Sequence, residues 1–399
     1  MAFDLERTRQ AFPALRDDIA YFDGPGGSQV PSVVGDAIAQ AICSGISNRA
    51  TVTAAERRAD AIVLGARQAV ADLLGADSGG VVFGRSMTQL TYDVSRTLAK
   101  GWSAGDEVVV TRLDHDGNVR PWFTAAEQAG ATLRWIEFDR ESGELDLADV
   151  EAQLSERTKV VAVTGASNLL GTRPDIPAIT AAVHAAGALA YVDGVHLTPH
   201  APVDVASLGA DFYVCSPYKF FGPHHGILVA SPALLETLDS DKLLPQTSQV
   251  PERFELGTLP YEVLAGTTAT VDFIAGLASS ATDRRTRVVE SMAAAEEYEE
   301  VLFQRLVDGL SANPRVRLYG SPKRHTPTAL FSVGGVDSEA IYTGLAERGV
   351  NAPCGNFYAL EASRWIGLGD DGAIRAGLAP YTSEGDVDRL VAGVEELSR

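Results

Sequence analysis

Cysteine is scarce in this chain of 399 residues: Cys43, Cys215 and Cys354 are the only three. They form no CxxC pair and no Cys/His spacing suited to a metal, so reduced thiols are expected and no metal site. Basic charge is also short, with 33 Lys and Arg against 53 Asp and Glu and a net charge of −20. Phosphate binding by nucleic-acid proteins rests on clustered Lys and Arg, so no nucleic-acid partner is expected. No apolar run approaches the roughly 20 residues of a membrane span. The N-terminal "MAFDLERTRQAF" has no apolar core of signal-peptide type. A cytoplasmic protein with no membrane partner is the expectation. Nucleotide and hydrolase signatures are missing too. "GPGGSQ" at Gly24–Gln29 ends in Gln and is framed by no strand–helix unit, and there is neither a P-loop nor a GxSxG elbow.

What is present is an ordinary globular composition, 45% hydrophobic and 22% charged, over a length that suggests two to three domains. Short apolar runs alternate with helical patterns. "GGVVFGRS", "DEVVVTRLD", "ATLRWIEFD", "TKVVAVTGASN", "ALAYVDG", "ADFYVCS" and "HGILVAS" read as strands, with helices such as "TQLTYDVSRTLAKGW" and "DIPAITAAVHAAG" between them. Near-continuous apolar strands separated by helices predict an α/β domain with a mostly parallel sheet of seven strands, covered on both faces. Beyond about residue 265 the texture changes to a long helix over Asp283–Gly309, short strands in "VRLYG", "TALFSV" and "GAIRAGLA", and a terminal helix. That predicts a smaller α+β domain. The expected division is an N-terminal arm and substrate-side loop over 1–30, a large domain over 31–270 and a small one over 271–399.

In open α/β sheets, ligands bind beyond the carboxyl ends of the strands, so the residues there were read for chemistry. "VVFGRSMTQL" turns into a helix near Met87–Thr88, and Ser86, Met87 and Thr88 stand where free N–H groups attract an anion. Taken alone, Thr88 also reads as a plain helix cap. His115 ends "VVVTRLDH", placed to stack on an aromatic ligand. Asn168 ends "VAVTGASN", where its amide suits a ligand oxygen. Asp193 ends the apolar "ALAYVD", a costly position for a carboxylate without a cationic partner. His196 lies three residues on. Lys219 sits in "FYVCSPYKFFGPHHGILVA", after Ser216, between two strand-like runs. A lysine drawn from water there has a lowered pKa and becomes a nucleophilic amine able to form a Schiff base.

Together these residues supply an anion cradle, an aromatic stacker, an oxygen binder, a buried carboxylate and a buried amine. One ligand uses the whole set: pyridoxal 5′-phosphate. Its phosphate suits the helix N-terminus, its ring His115, its ring oxygen Asn168, its ring nitrogen Asp193 and its aldehyde Lys219.

In the order and content of its segments the chain resembles the class V aminotransferase group of fold-type I pyridoxal phosphate enzymes, which includes cysteine desulfurases and isopenicillin N epimerase-like proteins. The resemblance spans nearly the whole chain. It rests on "YFDGPGGSQVP", "LDHDGN", "SNLLGT", "VDGVH", "SPYKFFGP", "RFELGT" and "IRAGLAPYTS". It implies that Gly26 and Gly27 belong to a substrate-side loop and that Ser216 and His196 join the cofactor site. It further implies that Arg375 clamps a substrate carboxylate and that Thr258 reaches the phosphate of a neighbouring subunit. A homodimer with a shared active site acting on a small amino acid is thereby implied.

Two positions depart from the pattern. Tyr218 stands where histidine is usual, and Tyr358 stands where desulfurases carry a nucleophilic cysteine. Tyr358 is therefore a candidate for substrate contact. Cys354, four residues earlier, would be the only thiol for sulfur transfer, in an expected Pro/Gly-flanked loop near the cleft, since Cys215 falls in a predicted core strand and Cys43 in the amphipathic stretch "DAIAQAICSGI", where a small apolar residue packs. The expectation is an aminotransferase-type enzyme, with desulfurase, selenocysteine lyase-like, epimerase and non-catalytic regulatory readings as alternatives.

Overall fold

Alternation along each strand builds the central layer. The computed structural model describes residues 3–399. In Val81–Gly84, Val81 and Phe83 face one apolar cluster and Val82 another; in Thr158–Thr164, Val161 and Val163 oppose Val160 and Ala162 in the same way. Both faces of the sheet are thus buried, which is why these runs are apolar at nearly every position.

The sheet has seven strands in the order Val81–Gly84, Gly226–Ala230, Phe212–Cys215, Leu189–Asp193, Thr158–Thr164, Glu107–Thr111, Thr132–Ile136. Gly226–Ala230 runs antiparallel to both its neighbours, and the other pairs are parallel. The expected mostly parallel seven-stranded α/β sheet is what the chain forms. Its strands are joined through helices that include Met87–Ala99, Arg120–Ala129 and Ile176–Ala185. The first of these is capped by Ser86, whose Oγ accepts from the Gln89 N–H at 3.1 Å; Thr88 lies inside the helix and is not the cap.

A second sheet of four antiparallel strands follows, in the order Cys354–Gly355, Ala373–Gly377, Thr328–Val333, Val316–Tyr319. The helices Arg284–Ser311 and Glu384–Leu397 pack beside it through Leu302, Leu306, Val387 and Leu390. The N-terminal segment does two things. Ala20–Tyr21 pairs in parallel with Val350–Asn351, and the Gly377 N–H donates to the Phe22 carbonyl at 2.9 Å. Immediately afterwards the chain crosses to the end of the large sheet.

Two cysteine expectations change. Cys43, expected to pack in an amphipathic helix, is exposed at the end of Ser32–Cys43. Cys354 lies in a short strand paired with Ile374, not in a loop. Cys215 is buried in its core strand as expected. Among the described residues no helix is long and apolar enough to cross a membrane.

Gly226 shows how closely the sheet and the first helix approach. A Cβ there would overlap the backbone of Ser86 and Met87, which cannot yield as a flexible side chain would. Gly226→Ala is expected to lower the unfolding free energy by at least about 2 kcal/mol. Chemical denaturation checks this, and a variant as stable as the parent would show that the junction gives way easily.

Candidate active site

Five of the parallel-running strands end on one cavity of about 590 Å³. Ser86, Met87 and Thr88 follow the first strand, His115 follows Glu107–Thr111, Asn168 follows Thr158–Thr164, Asp193 ends its own strand, and Ser216 and Lys219 follow Phe212–Cys215. All of them line the cavity, as do His196, Gly26, Tyr358 and Arg375. Arg375 comes from the second sheet, on Ala373–Gly377, so the cavity lies where the two sheets meet. Two expected residues are not in the lining. Gly27 packs against the Tyr218 ring instead, because the chain turns tightly there, with the Gly26 and Gly27 N–H groups both donating to the Asp23 carbonyl. Thr258 is exposed and stands apart from the cavity of its own chain.

Burial sets the charges. Asp193 is 3% exposed, and burial pushes its carboxyl up to about 7, opposed by the Val195 N–H at 2.9 Å and by Lys219. Burial pulls the Lys219 amine down to about 7, and the neighbouring Arg375 adds to the fall. Its Nζ donates to the Pro25 carbonyl and lies 4.9 Å from the centre of the Tyr218 ring, which itself stacks on His224. His115 is drawn down to about 4 by burial, with Lys219 adding to the effect. It is therefore neutral, and because its Nδ1 accepts from the Gly117 N–H at 2.9 Å, its proton resides on Nε2. Behind it, Asp114 is fixed by Thr111 and by the Asn118 amide at 2.7 Å, which holds the turn that aims His115.

Several buried polar atoms lining the cavity have no partner: Asn168 Oδ1, His196 Nδ1 and Arg375 Nε. Unpaired buried polar atoms cost about 1–3 kcal/mol each, so a cavity lined by three of them is shaped for a polar ligand. The His196 Nε2 is already engaged by the hydroxyls of Thr326 and Thr328, each at 3.0 Å. Its other ring nitrogen is thus the one left for a ligand. Arg375 is 2% exposed, and its Nη1 donates to the Asn168 carbonyl at 2.8 Å. Its guanidinium has no ion-pair partner within 4 Å among the described residues.

Of the aromatic wall, sequence reasoning named Tyr358 and missed Phe357. Phe357 lies over the Arg375 guanidinium at 3.7 Å, and Tyr358 stacks on His115 at 5.6 Å. Both are non-glycine residues in left-handed conformation, at φ 52° and 60°. Their carbonyls tie them to the site, that of Phe357 accepting from the Asn168 amide at 2.9 Å and that of Tyr358 from the Asp116 N–H at 2.7 Å. Tyr92, Asp116, Arg120 and Pro25 were also missed. Tyr92 and Arg120 lie inside helices that read only as covers for the sheet. The signal available for Phe357 was adjacency to Tyr358.

The buried amine, the buried carboxylate and the helix N-terminus at successive strand ends define a fold-type I enzyme that uses pyridoxal 5′-phosphate. The free acceptor and donor atoms fit that group's polar periphery. The family model for class V aminotransferases matches residues 20–390. The chain belongs to the class V aminotransferase family, and it is a pyridoxal phosphate-dependent enzyme of amino-acid chemistry. It is 34% identical to an uncharacterised protein of Mycobacterium tuberculosis (strain CDC 1551 / Oshkosh), covering 100% of both chains. It is 30% identical to an aminotransferase-like protein of Gibberella zeae, covering 99% of this chain and 98% of that one. Among solved structures, the apo cysteine desulfurase of Thermococcus onnurineus NA1 matches with a TM-score of 0.89 at 27% identity, over 100% of this chain and 98% of that one.

The lowered lysine pKa is directly measurable. In the cofactor-free protein, reductive methylation of Lys219 should rise with a midpoint near pH 7, against about 10.4 for an ordinary lysine. Peptide mass mapping across a pH series reads this, and a midpoint near 10 would put the amine in water.

Proposed function

We propose that this enzyme transforms an α-amino acid by proton transfer at Cα, with transamination as the outcome, and that it does not transfer sulfur. The observation that carries this reading is the placement of the thiols. None of the three cysteines lines the cavity. The Cys354 thiol donates to Glu339 Oε2 at 2.9 Å, and burial together with that carboxylate pushes it up to about 12. Cys215 is raised by burial in the core. A sulfur-accepting nucleophile must be ionised and exposed, and Cys354 is neither thiolate nor turned to the site.

The residues proposed to hold the cofactor are those whose partners are free. Asp193 would take the ring nitrogen, Asn168 and His196 the ring oxygen, and His115 the ring face. Ser86, Met87, Thr88 and Ser216, with Thr258 of a second copy, would take the phosphate, and Lys219 the aldehyde. When bound, the group supplies an electron sink for negative charge at the substrate's Cα.

The remaining roles belong to side chains. Arg375 offers Nε and Nη2, one edge of its guanidinium, to the substrate carboxylate, a bidentate match that lysine lacks. Phe357 closes one face of that guanidinium, and the fit keeps water from it. Lys219, uncharged above about pH 7, is the base that takes the Cα proton and later returns one. The Pro25 carbonyl steadies its amine while it carries that proton. Asp193, whose Oδ1 accepts from the Val195 N–H, would hold a proton on the ring nitrogen of the bound group. Gly26 and the segment around it form the wall on the substrate side.

The same reading includes a homodimer. Val33, Ile42, Val52, Leu243, Leu244 and Leu256 are exposed apolar side chains, with Leu244 at 99%. They fall within and just after Ser32–Cys43 and in the stretch leading to Thr258, and a second copy covering them would carry Thr258 to the neighbouring phosphate site. The reading also divides the chain into the arm 1–30, the large domain 31–270 and the small domain 271–399.

Two measurements test the function. Lys219→Ala is expected to slow exchange of the L-alanine Cα proton with D₂O by at least about 100-fold, followed by proton NMR; near-normal exchange would remove Lys219 from the role of base. Sulfide release from L-cysteine is expected to be slow and the same in Cys354→Ala as in the parent. Fast release abolished by that substitution would make the enzyme a desulfurase with a displaced nucleophile. Sedimentation of the holoenzyme should give a dimer, and a fully active monomer would remove Thr258 from the site.

A further inference from the structure

Two guanidinium groups face the cavity, and their electrostatic states are opposite. Arg375 is buried, its Nε is unpartnered, and it forms no ion pair within 4 Å among the described residues. Asp23 acts on it only at longer range. Arg120 sits at the mouth, its side chain 38% exposed, with Asp116 at 2.8 Å and Glu361 at 3.9 Å. Glu361 is itself held by Arg112 at 3.0 Å. One cation is therefore free to meet an anion, and the other is already satisfied.

The cavity that both face also has an aromatic wall. Tyr92, Tyr218, Phe357 and Tyr358 line it, with Pro121 beside Arg120. The Phe357 ring takes up one face of the free guanidinium at 3.7 Å. Tyr358 is 73% exposed, although its ring stacks on His115. The chain is held just before the two rings and again at the end of the helix Leu360–Trp365 that follows them. The Asn356 amide donates to the Asp370 carbonyl at 2.8 Å, and the Trp365 indole donates to the Phe138 carbonyl at 2.8 Å.

We infer that the site accepts α-amino acids that carry a single carboxylate and an uncharged side chain, and that Tyr358, at the mouth of the aromatic wall, is the residue that sets this limit. The inference rests on the amino-acid reading given above. The α-carboxylate meets Arg375. A second carboxylate, as in aspartate or glutamate, would have to lie among aromatic rings or take Arg120 from Asp116 and Glu361. The first course leaves a carboxylate without a cation in a largely desolvated place, and the second takes from Asp116 the cation it holds at 2.8 Å. An apolar or aromatic side chain meets no such cost and gains contact with the rings.

The test uses the holoenzyme and four probes: L-leucine, L-phenylalanine, L-aspartate and L-glutamate. Each is titrated while the visible absorbance of the bound cofactor is followed, which gives an apparent Kd without requiring turnover. The neutral pair is expected to saturate at concentrations at least about 100-fold below the acidic pair. Phe357→Ala should weaken all four by about tenfold, because the shared contact is with the carboxylate clamp. Tyr358→Arg, at an exposed position where folding is not at risk, supplies a second cation over the mouth and should narrow the neutral-to-acidic ratio at least about tenfold. Aspartate or glutamate binding as tightly as leucine would overturn the inference, and so would a ratio unmoved by Tyr358→Arg. If the loaded enzyme responds to none of the four, the amino-acid reading itself falls, and the specificity with it.

Discussion

Asp193, Lys219 and Arg375 are largely withdrawn from water at one end of the sheet, and no ion pair within 4 Å joins any of them to another charge among the described residues. An uncompensated buried charge costs several kcal/mol, and the protein carries three such groups together. The pKa values follow from that one constraint. The carboxyl is raised, the amine lowered, and the guanidinium brought down to about 9. Such an arrangement persists only because the surrounding fold over-determines it, and it is relieved when a ligand brings complementary charge. A carboxylate, a protonated ring nitrogen and an aldehyde are the complements these three groups lack. The site is thus stabilised by loading, and its poor self-satisfaction is the source of its affinity.

Both sheets are needed to hold that arrangement. The large sheet supplies Asp193 from a strand end and Lys219 from the turn after a strand, positions where side chains leave the layer without disrupting it. The small sheet supplies Arg375 from the middle of a strand whose neighbour carries Thr328, one of the two hydroxyls that hold His196. The Asn168 carbonyl takes Arg375 Nη1 and the Asn168 amide takes the Phe357 carbonyl. One asparagine therefore couples the sheet end, the Arg375 guanidinium and the aromatic segment. A shift of the small sheet would move Arg375, His196 and Phe357 together.

The strand-end residues were legible because the polar residue interrupts an apolar run, and burial of such a residue is costly enough to need a reason. Asp193 after "ALAYV" and Lys219 between two apolar strands announce themselves in this way. The seven strands were legible for the same cause, since a doubly covered sheet demands apolar residues on both faces. Phe357 and Arg120 were not legible. An aromatic residue in a loop and an arginine on a helix are each common, and only the fold shows that one covers a guanidinium and the other is neutralised. Thiol environments were read less well. Cys43 sits at a helix end whose last turn is open to water, and Cys354 is drawn into a strand by pairing with Ile374. Neither outcome is encoded in the local pattern.

The aromatic pair has a price in backbone conformation. Two consecutive non-glycine residues in the left-handed region cost roughly 1–2 kcal/mol each. Glycine at either position would remove that strain, so the side chains must return more than it. Phe357 does so through the desolvated face of Arg375, where a cation–π contact is worth about 2 kcal/mol. Tyr358 is mostly exposed and gains less from burial, yet its carbonyl holds the Asp116 N–H beside His115. The strain is therefore balanced at the Arg375 guanidinium and not at the surface. A ring stacked on His115 and a backbone held by the Phe357 and Tyr358 carbonyls make a wall. The segment is thus a fixed boundary of the cavity.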